Sequence, residues 1–540
     1  MIASICLFLR NNHIPLFYSV ITPKNKALKL IVQFLKQHID TCIAAALAFY
    51  FVLLLTQHGG IGISPDSIMY TSVARNLTLG NGFLQFDGKP LTMFPVAFPY
   101  FLHLIMLLTQ QDIVVVAPYL TAILFAGNIY IAGYILENAR MKNRIYKNVI
   151  LLLLITNPAL LEVYTMLWSE TLFIFLVMLF IVVQQRYMHH ADFKNLLFAA
   201  VIAGFAAITR YAGITLIATG CFLLLFATHS NWTKRWMHTI LFGCISSSFL
   251  CINLLSNILQ SGYLTGKRLP ADTGFIENMQ LYGNVLAGWL GSNHPSMLFA
   301  LLLGILLIII TGIYLYTAIF HQKKEIGFTV IAEAFLLIYV LFIILSSTFS
   351  NYDDINNRLL APVAIPFFLI IGAGIPQMIN APKKSSRTTM ILAGLLALFA
   401  FIGNLKNGYT TLKNNHEAGI GGYAEDYWQS SDILHFLKTS PFTDTATIPL
   451  YSNDYAAIYY FTGKKVKTLP ELTHENELNV FLQTNALYVI WLNSGDNPDL
   501  IEHNEMNKVK QCIPMHTFSD GIIYKCIPLN KPFVQKDSIP

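Results

Sequence analysis

Charge is what this sequence has least of. Only 12% of its 540 residues are Asp, Glu, Lys or Arg, against about 25% in soluble domains. With 55% hydrophobic residues and a mean hydropathy of +0.54, the scarcity excludes an ordinary soluble protein and points to an integral membrane protein. Cysteine is also sparse. The seven present form no Cys-x-x-Cys pair and no Cys/His metal spacing, which argues against a metal or redox centre. Cys42, Cys221, Cys244 and Cys251 lie in apolar runs as packing residues, while Cys512 and Cys526 sit in a polar tail where a disulfide stays open. There is no internal repeat and no low-complexity segment. Residues 1–20 carry no cleavage site of small residues, so 1–39 reads as a cytoplasmic lead-in. The net charge of +6 does not imply a nucleic-acid partner. Its basic residues lie between apolar runs, the pattern of membrane topology.

A crossing needs roughly 17–25 apolar residues. The first candidate runs from about 40 to 57 and follows Lys24, Lys26, Lys29 and Lys36. That places the N-terminus inside and the loop 58–112 outside. The short segment Phe94–Leu108, interrupted by Pro95 and Pro99, reads as a juxtamembrane or re-entrant helix, because a crossing there would leave Arg140, Lys142, Arg144 and Lys147 outside. Further spans are expected near 113–136, 147–165, 170–187, 195–209, 212–228, 239–259, 297–318, 328–350, 358–377 and 388–404. About eleven crossings keep nearly every basic cluster inside, with Lys267-Arg268 the exception. Residues 405–540 then fall outside, on the side of Asp66. Their rising charge and short mixed segments predict a soluble α/β domain of roughly 110 residues. Its elements are helices at 429–438 and 454–461, strands at 448–452 and 486–492, and a terminal hairpin of 511–518 with 521–528 around Ser519-Asp520-Gly521.

This topology gathers a polar set on one side: Asp66, Arg75, Asp87, Lys89, Glu162, Glu170, Arg210, Tyr211, Lys267, Arg268, Asp353, Asp354 and Arg358. Carboxylates serve as bases or metal ligands, and the planar fork of arginine suits phosphate. A polar rim on an apolar bundle fits a lipid-linked substrate. Each residue also has a structural reading. Asp66, in Ser64-Pro65-Asp66-Ser67, is either a helix cap or a functional acid. Glu170 is either a first-turn acid or a site residue. Arg210 either snorkels to headgroups or reaches substrate. Asp353 and Asp354 either favour the start of the helix bearing Arg358 through its dipole or join the site. Lys267 and Arg268 face lipid phosphates or solvent. His189 and His190 fall on the inner side, away from this set.

Several motifs resemble a known family. Asp66-Ser67-Ile68-Met69-Tyr70, followed by Ala74-Arg75-Asn76-Leu77 and Gly80-Asn81-Gly82, resembles the first outer loop of GT-C fold glycosyltransferases. The resemblance is to the bacterial branch related to protein O-mannosyltransferases and the lipid A aminoarabinose transferase. Ser169-Glu170-Thr171-Leu172-Phe173, Thr209-Arg210-Tyr211-Ala212-Gly213, Asn357-Arg358-Leu359-Leu360-Ala361-Pro362 and Tyr451-Ser452-Asn453-Asp454 resemble further landmarks. The resemblance implies a multi-pass protein of the inner (plasma) membrane with an extracytoplasmic site and C-terminal domain. It implies transfer of a hexosyl or pentosyl group from a polyprenyl-phosphate-linked sugar to a lipid, glycan or protein acceptor, with Asp66 as base and inversion at the anomeric carbon. Arg210 and Arg358 are then expected to hold the phosphate and Glu170 to orient a sugar hydroxyl, with Arg75 and Tyr211 also binding substrate. The family's protein mannosyltransferases carry adjacent acids in this loop, whereas Ser67 follows Asp66 here, which leaves a lipid or glycan acceptor open. A single-phosphate donor has no diphosphate to bridge, so no cofactor and no metal is expected, unless Asp87 or Glu170 joins Asp66 around a divalent ion. The rival reading is a flippase of lipid-linked sugars, whose site belongs near the midplane, often between repeated halves. A polysaccharide polymerase or ligase is a second rival, one that depends on a large outer loop.

Overall fold

The computed structural model describes residues 26–138, 144–228, 230–266, 270–292, 295–321, 326–350, 353–379, 386–440, 448–472, 475–494 and 500–529, with side chains from 38 onward except 374–397. Lys267 and Arg268 of the polar set lie outside these residues, as do the basic residues Lys24, Arg140, Lys142, Lys323, Lys324, Lys383 and Lys384.

Helices in chain order are α1 (Lys26–Leu55), α2 (Pro65–Thr78), α3 (Ala97–Thr109), α4 (Ile113–Asn138), α5 (Arg144–Ile155), α6 (Pro158–Thr165), α7 (Glu170–His190) and α8 (Phe193–Thr209). Then come α9 (Ile214–Phe222), α10 (Trp232–Ser261), α11 (Phe275–Trp289), α12 (Met297–Tyr316), α13 (Phe328–Phe349), α14 (Asn357–Ile379) and α15 (Ser386–Ala418). Among the described residues, six helices are long and apolar enough to cross a membrane, or seven if α5 and α6 make one bent span. The chain is an integral membrane protein. Other segments expected to cross are shorter apolar helices: Phe193–Thr209, Tyr211–Ala227 and Asn357–Ala373. The expected span 388–404 lies within α15, mostly among residues whose side chains are outside the description.

Local chemistry explains where the boundaries moved. The expected 147–165 span bends by 50°. Pro158 disfavours helix at the residue before it, and Asn157 there accepts the Leu160 N–H at 3.2 Å to start α6. Helix α11 lies in what reads as loop. Its two glycines and several amides mask the apolar face that packs on α12. Helix α15 runs unbroken through residue 404 to Ala418, past the expected change of character. Lys147, counted above among the inner basic residues, is buried, with its Nζ 2.8 Å from Asp40 and 2.6 Å from Glu137.

The tail follows the expected order closely: α16 (Asp426–Gln429), α17 (Asp432–Thr439), β1 (Leu450–Ser452), α18 (Tyr455–Thr462), β2 (Lys467–Thr468), α19 (Glu475–Gln483), β3 (Leu487–Leu492), α20 (His503–Val509), β4 (Lys510–Thr517) and β5 (Gly521–Pro528). The sheet order is β2-β1-β3-β5-β4, parallel across β2, β1 and β3 and antiparallel across β3, β5 and β4. Strand β3 is central and reads Leu-Tyr-Val-Ile-Trp-Leu because both faces are covered. Leu487 and Val489 join one core, while Ile490 and Leu492 join a core continuous with the membrane helices. Cys512 and Cys526 are opposite one another in the hairpin and form a disulfide.

Candidate active site

Asp66 occupies the first turn of α2, but it does not cap the helix. Ser64 does: its Oγ accepts the Ser67 N–H, and the Ser67 hydroxyl oxygen accepts the Ser64 N–H at 3.1 Å, with Pro65 at the first helical position. This reciprocal capping frees the Asp66 carboxylate for other contacts. The approach to the helix is fixed as well. Gly62 donates to the Thr165 carbonyl at 2.8 Å, Leu167 donates back to Gly62 at 3.0 Å, and the Trp168 indole donates to Ser64 Oγ at 2.8 Å. On the other edge Tyr423 of the tail donates its N–H to the Ile63 carbonyl at 2.8 Å.

Arg358, at the start of α14, joins three carboxylates. Its Nε donates to Glu170 Oε1 at 2.6 Å, one Nη to Asp66 Oδ2, and the other Nη to Asp353 Oδ2 at 3.3 Å. Its guanidinium lies 4.2 Å from the centre of the Trp168 ring, a cation–π seat. Arg210 ends α8 in an extended conformation and donates to Glu170 Oε1 at 2.7 Å and Ser169 Oγ at 2.9 Å. Its Nε is buried without a partner among the described residues. The Tyr70 hydroxyl, one turn after Asp66, lies 3.4 Å from Ser169 Oγ. Burial, then the charge of Asp66, holds that hydroxyl well above its usual range, so it stays a neutral donor.

Exposure is graded across this cluster. The Glu170 side chain is fully buried, Asp66 is 28% exposed and Asp353 58%. Three carboxylates face two guanidiniums, so an entering anion must draw an arginine from a carboxylate. An apolar cavity of about 470 Å³ lies between α3, α7 and α8, lined by Tyr100, Leu104, Leu176, Phe205 and Ile208 among others. Leu172 and Thr209 also line it, two residues from Glu170 and one from Arg210.

The structure brings Asp66, Glu170, Arg210, Asp353 and Arg358 together. It does not bring Arg75 and Tyr211 into that cluster. Arg75 forms a two-pronged pair with Asp112 at 2.7 and 3.0 Å. Burial acts to raise the Asp112 carboxyl, but its hydrogen bond and attraction to Arg75 outweigh this and hold it below the usual range. The Tyr211 hydroxyl donates to the Thr92 carbonyl at 3.3 Å and accepts from Asn257 at 2.9 Å, tying the loop between α2 and α3 to α10. Glu162 hydrogen-bonds Asn357, beside Arg358. Asp87 makes an exposed pair with Lys89 at 3.8 Å, and Asp354 is exposed. Among the described residues no three His, Cys, Asp or Glu side chains are grouped as for a metal ion. Sequence reading missed Trp168 and Tyr70. Their nearness in sequence to Glu170 and Asp66 was the available signal.

The sequence matches no protein-family model and no curated protein. Solved structures do match. ArnT from Cupriavidus metallidurans in the apo state superposes with a TM-score of 0.55 at 10% identity, over 93% of this chain and 98% of that one. ArnT bound to undecaprenyl phosphate gives 0.56 at 9% identity, over 91% and 98%. The Archaeoglobus fulgidus oligosaccharyltransferase, tethered to an acceptor peptide, gives 0.50 at 11% identity, over 92% and 76%. Agreement across nearly the whole chain at such low identity is agreement of fold, and the chain has the GT-C fold.

Proposed function

We propose that the protein is a membrane glycosyltransferase. It moves a sugar from a polyprenyl-phosphate donor to a hydroxyl of a lipid, glycan or protein acceptor, inverting the anomeric carbon, with Asp66 as base. One observation carries this reading: Arg358 joins the part-exposed Asp66 to a buried Glu170–Arg210 pair, on helices that also line an apolar cavity through Leu172 and Thr209. Such a site suits a ligand with an anionic head and an apolar tail. The undecaprenyl phosphate held by ArnT, which shares this fold, makes a polyprenyl carrier the first donor to test. The outer face of the plasma membrane is the assigned side. Most basic residues between spans favour it, and the Cys512–Cys526 disulfide belongs in an oxidising compartment.

In this scheme the carrier phosphate engages Arg210 and Arg358, whose planar forks match its oxygens. Arg358 then loosens its hold on Asp66, so donor binding releases the base. Asp66 takes the proton of the acceptor hydroxyl as that oxygen bonds to the anomeric carbon. The carbon–phosphate-oxygen bond breaks, and the electron pair leaves with the carrier. The guanidiniums stabilise the growing charge, an electrostatic role. Glu170, fully buried between them, orients both arginines rather than a sugar hydroxyl.

The test is transfer from a panel of radiolabelled polyprenyl-phosphate sugars by purified protein, with and without Asp66→Asn. A loss of about 10²–10⁴-fold is expected for removal of a general base. Full turnover in the mutant would remove Asp66 from that role. Carrier movement across vesicles with no transfer would replace the enzyme reading by a flippase.

A further inference from the structure

We propose that Gly422 and Tyr423 of the C-terminal domain are positioning residues for Asp66, acting through the short strand Gly62–Ser64. The proposal rests on the reading of Asp66 as the base and concerns how that base is held.

The strand is gripped from both edges. Gly62 pairs in parallel with Met166 and Ile63 with Gly422. Neither glycine has room for a side chain. A Cβ on Gly62 would lie 2.0 Å from Met166 Sδ and 2.6 Å from Ile420 Cγ2, and one on Gly422 would lie 2.1 Å from the Ile63 carbonyl oxygen. Gly422 also has φ +79°, a left-handed conformation that favours glycine. Close backbone approach is thus required where the tail meets the strand, and Asp66 lies three residues beyond Ile63.

Tyr423 makes this contact rigid. Its N–H binds Ile63, while its hydroxyl donates to both oxygens of Asp454 at 2.7 and 3.0 Å. Asp454 in turn caps α18 by accepting the Ala457 N–H at 3.0 Å. The Tyr423 ring is buried edge-on against Trp428, with centroids 5.0 Å apart. The tail is therefore coupled to the segment that presents the base through the Tyr423 backbone bond, which the Tyr423 side chain anchors to Asp454. The neighbouring Gly421 gives a built-in contrast. A Cβ there meets only Glu425 Oε1 at 3.8 Å, an ordinary contact.

Two adjacent glycines therefore give opposite expectations for one substitution. Full-length protein in lipid nanodiscs is assayed for transfer from the radiolabelled donor and for hydrogen exchange of peptides covering residues 61–70. In Gly422→Ala the Ile63 carbonyl must move by about 1 Å, a misplacement that costs on the order of 10²-fold in kcat. The donor KM does not rise, because a displaced Asp66 competes no better with the donor for Arg358, and amide exchange in 61–70 quickens. Gly421→Ala keeps the wild-type kcat and exchange. Wild-type kcat in Gly422→Ala overturns the proposal, and so does a fall confined to KM. If Gly422→Ala does not fold, Tyr423→Phe replaces it. It keeps the N–H bond to Ile63 but loses the tie to Asp454, so a smaller fall in kcat with no rise in KM is expected and an unchanged kcat overturns the proposal. Asp66→Asn is run in parallel. If that variant retains full turnover, the base assignment fails by itself, and exchange in 61–70 still decides whether Gly422 holds the strand.

Discussion

Among the described residues two ionic clusters are buried, one toward each end of the helical bundle, and they differ in closure. At the end opposite Asp66, Lys147 of α5 meets Asp40 and Thr41 of α1 and Glu137 of α4, and His38 binds Glu137. The Lys147 side chain is only 4% exposed. The Asp66 cluster draws its members from the start of α2, the start of α7, the end of α8, the loop before α14 and α14 itself. It opens toward solvent through Asp66 and Asp353. Both arrangements carry the desolvation cost of buried ions, which good geometry offsets only in part. The closed cluster joins three helices to one another. The open one leaves an acid and an arginine nitrogen where a ligand can compete for them.

Breaking each cluster at its cation tests that distinction, and Arg358→Ala should have the largest effect. It strands Asp66 and Glu170, lowers stability by about 3–5 kcal/mol and cuts transfer by a further 10²–10³-fold or so through loss of charge stabilisation. Thermal unfolding and turnover per folded molecule separate the two effects. Lys147→Met should match the stability loss, about 3–5 kcal/mol, yet leave turnover per folded molecule at the wild-type level. A Lys147→Met protein that is stable but inactive would erase the contrast between the clusters. Arg210→Lys sharpens the picture of the open cluster. It keeps the charge and loses the fork, so about 1.5–3 kcal/mol of donor binding should be lost, seen as a raised donor KM.

Arg75→Ala should have the smallest effect. Its pair with Asp112 is part-exposed, so about 0.2–1 kcal/mol of stability is at stake, and the donor KM should not move. The sign with pH follows from Asp112, whose folded-state pKa is depressed. Its contribution is present above the unfolded value of about 3.9 and is lost as pH falls through the lower folded value. The gap between wild type and Arg75→Ala, followed by chemical denaturation, should therefore close under acid. A rise in donor KM would instead return Arg75 to the binding site.

Elements set by local pattern were legible in the sequence. The run Leu487–Leu492 and the turn at Ser519-Asp520-Gly521 define β3 and the β4–β5 hairpin because continuous burial and turn chemistry leave few alternatives. Most transmembrane helices fall within a few residues of their apolar runs for the same reason. Partnerships were not legible. Arg75 and Arg358 are both arginines expected on the side of Asp66, yet one is tied to Asp112 and the other to Asp66, Glu170 and Asp353. Nothing in linear spacing separates residue 358 from residue 75 as a partner for Asp66. Ser64 and Asp66 are both good caps, and only the geometry of the turn shows that Ser64 caps α2. Lys147 looked like one more solvent-facing basic residue because a sequence shows charge but not enclosure.

By itself, the sequence determined that the chain is a membrane protein with a mixed α/β tail. Apolar content and hydrophobic period are local quantities, and lipid or a core must cover them. Only the tertiary structure decided which acids and arginines meet, where the cavity opens and how the tail grips the strand before Asp66. Those are contacts between residues tens to hundreds of positions apart, and their strength depends on distances and burial that the order of residues does not contain.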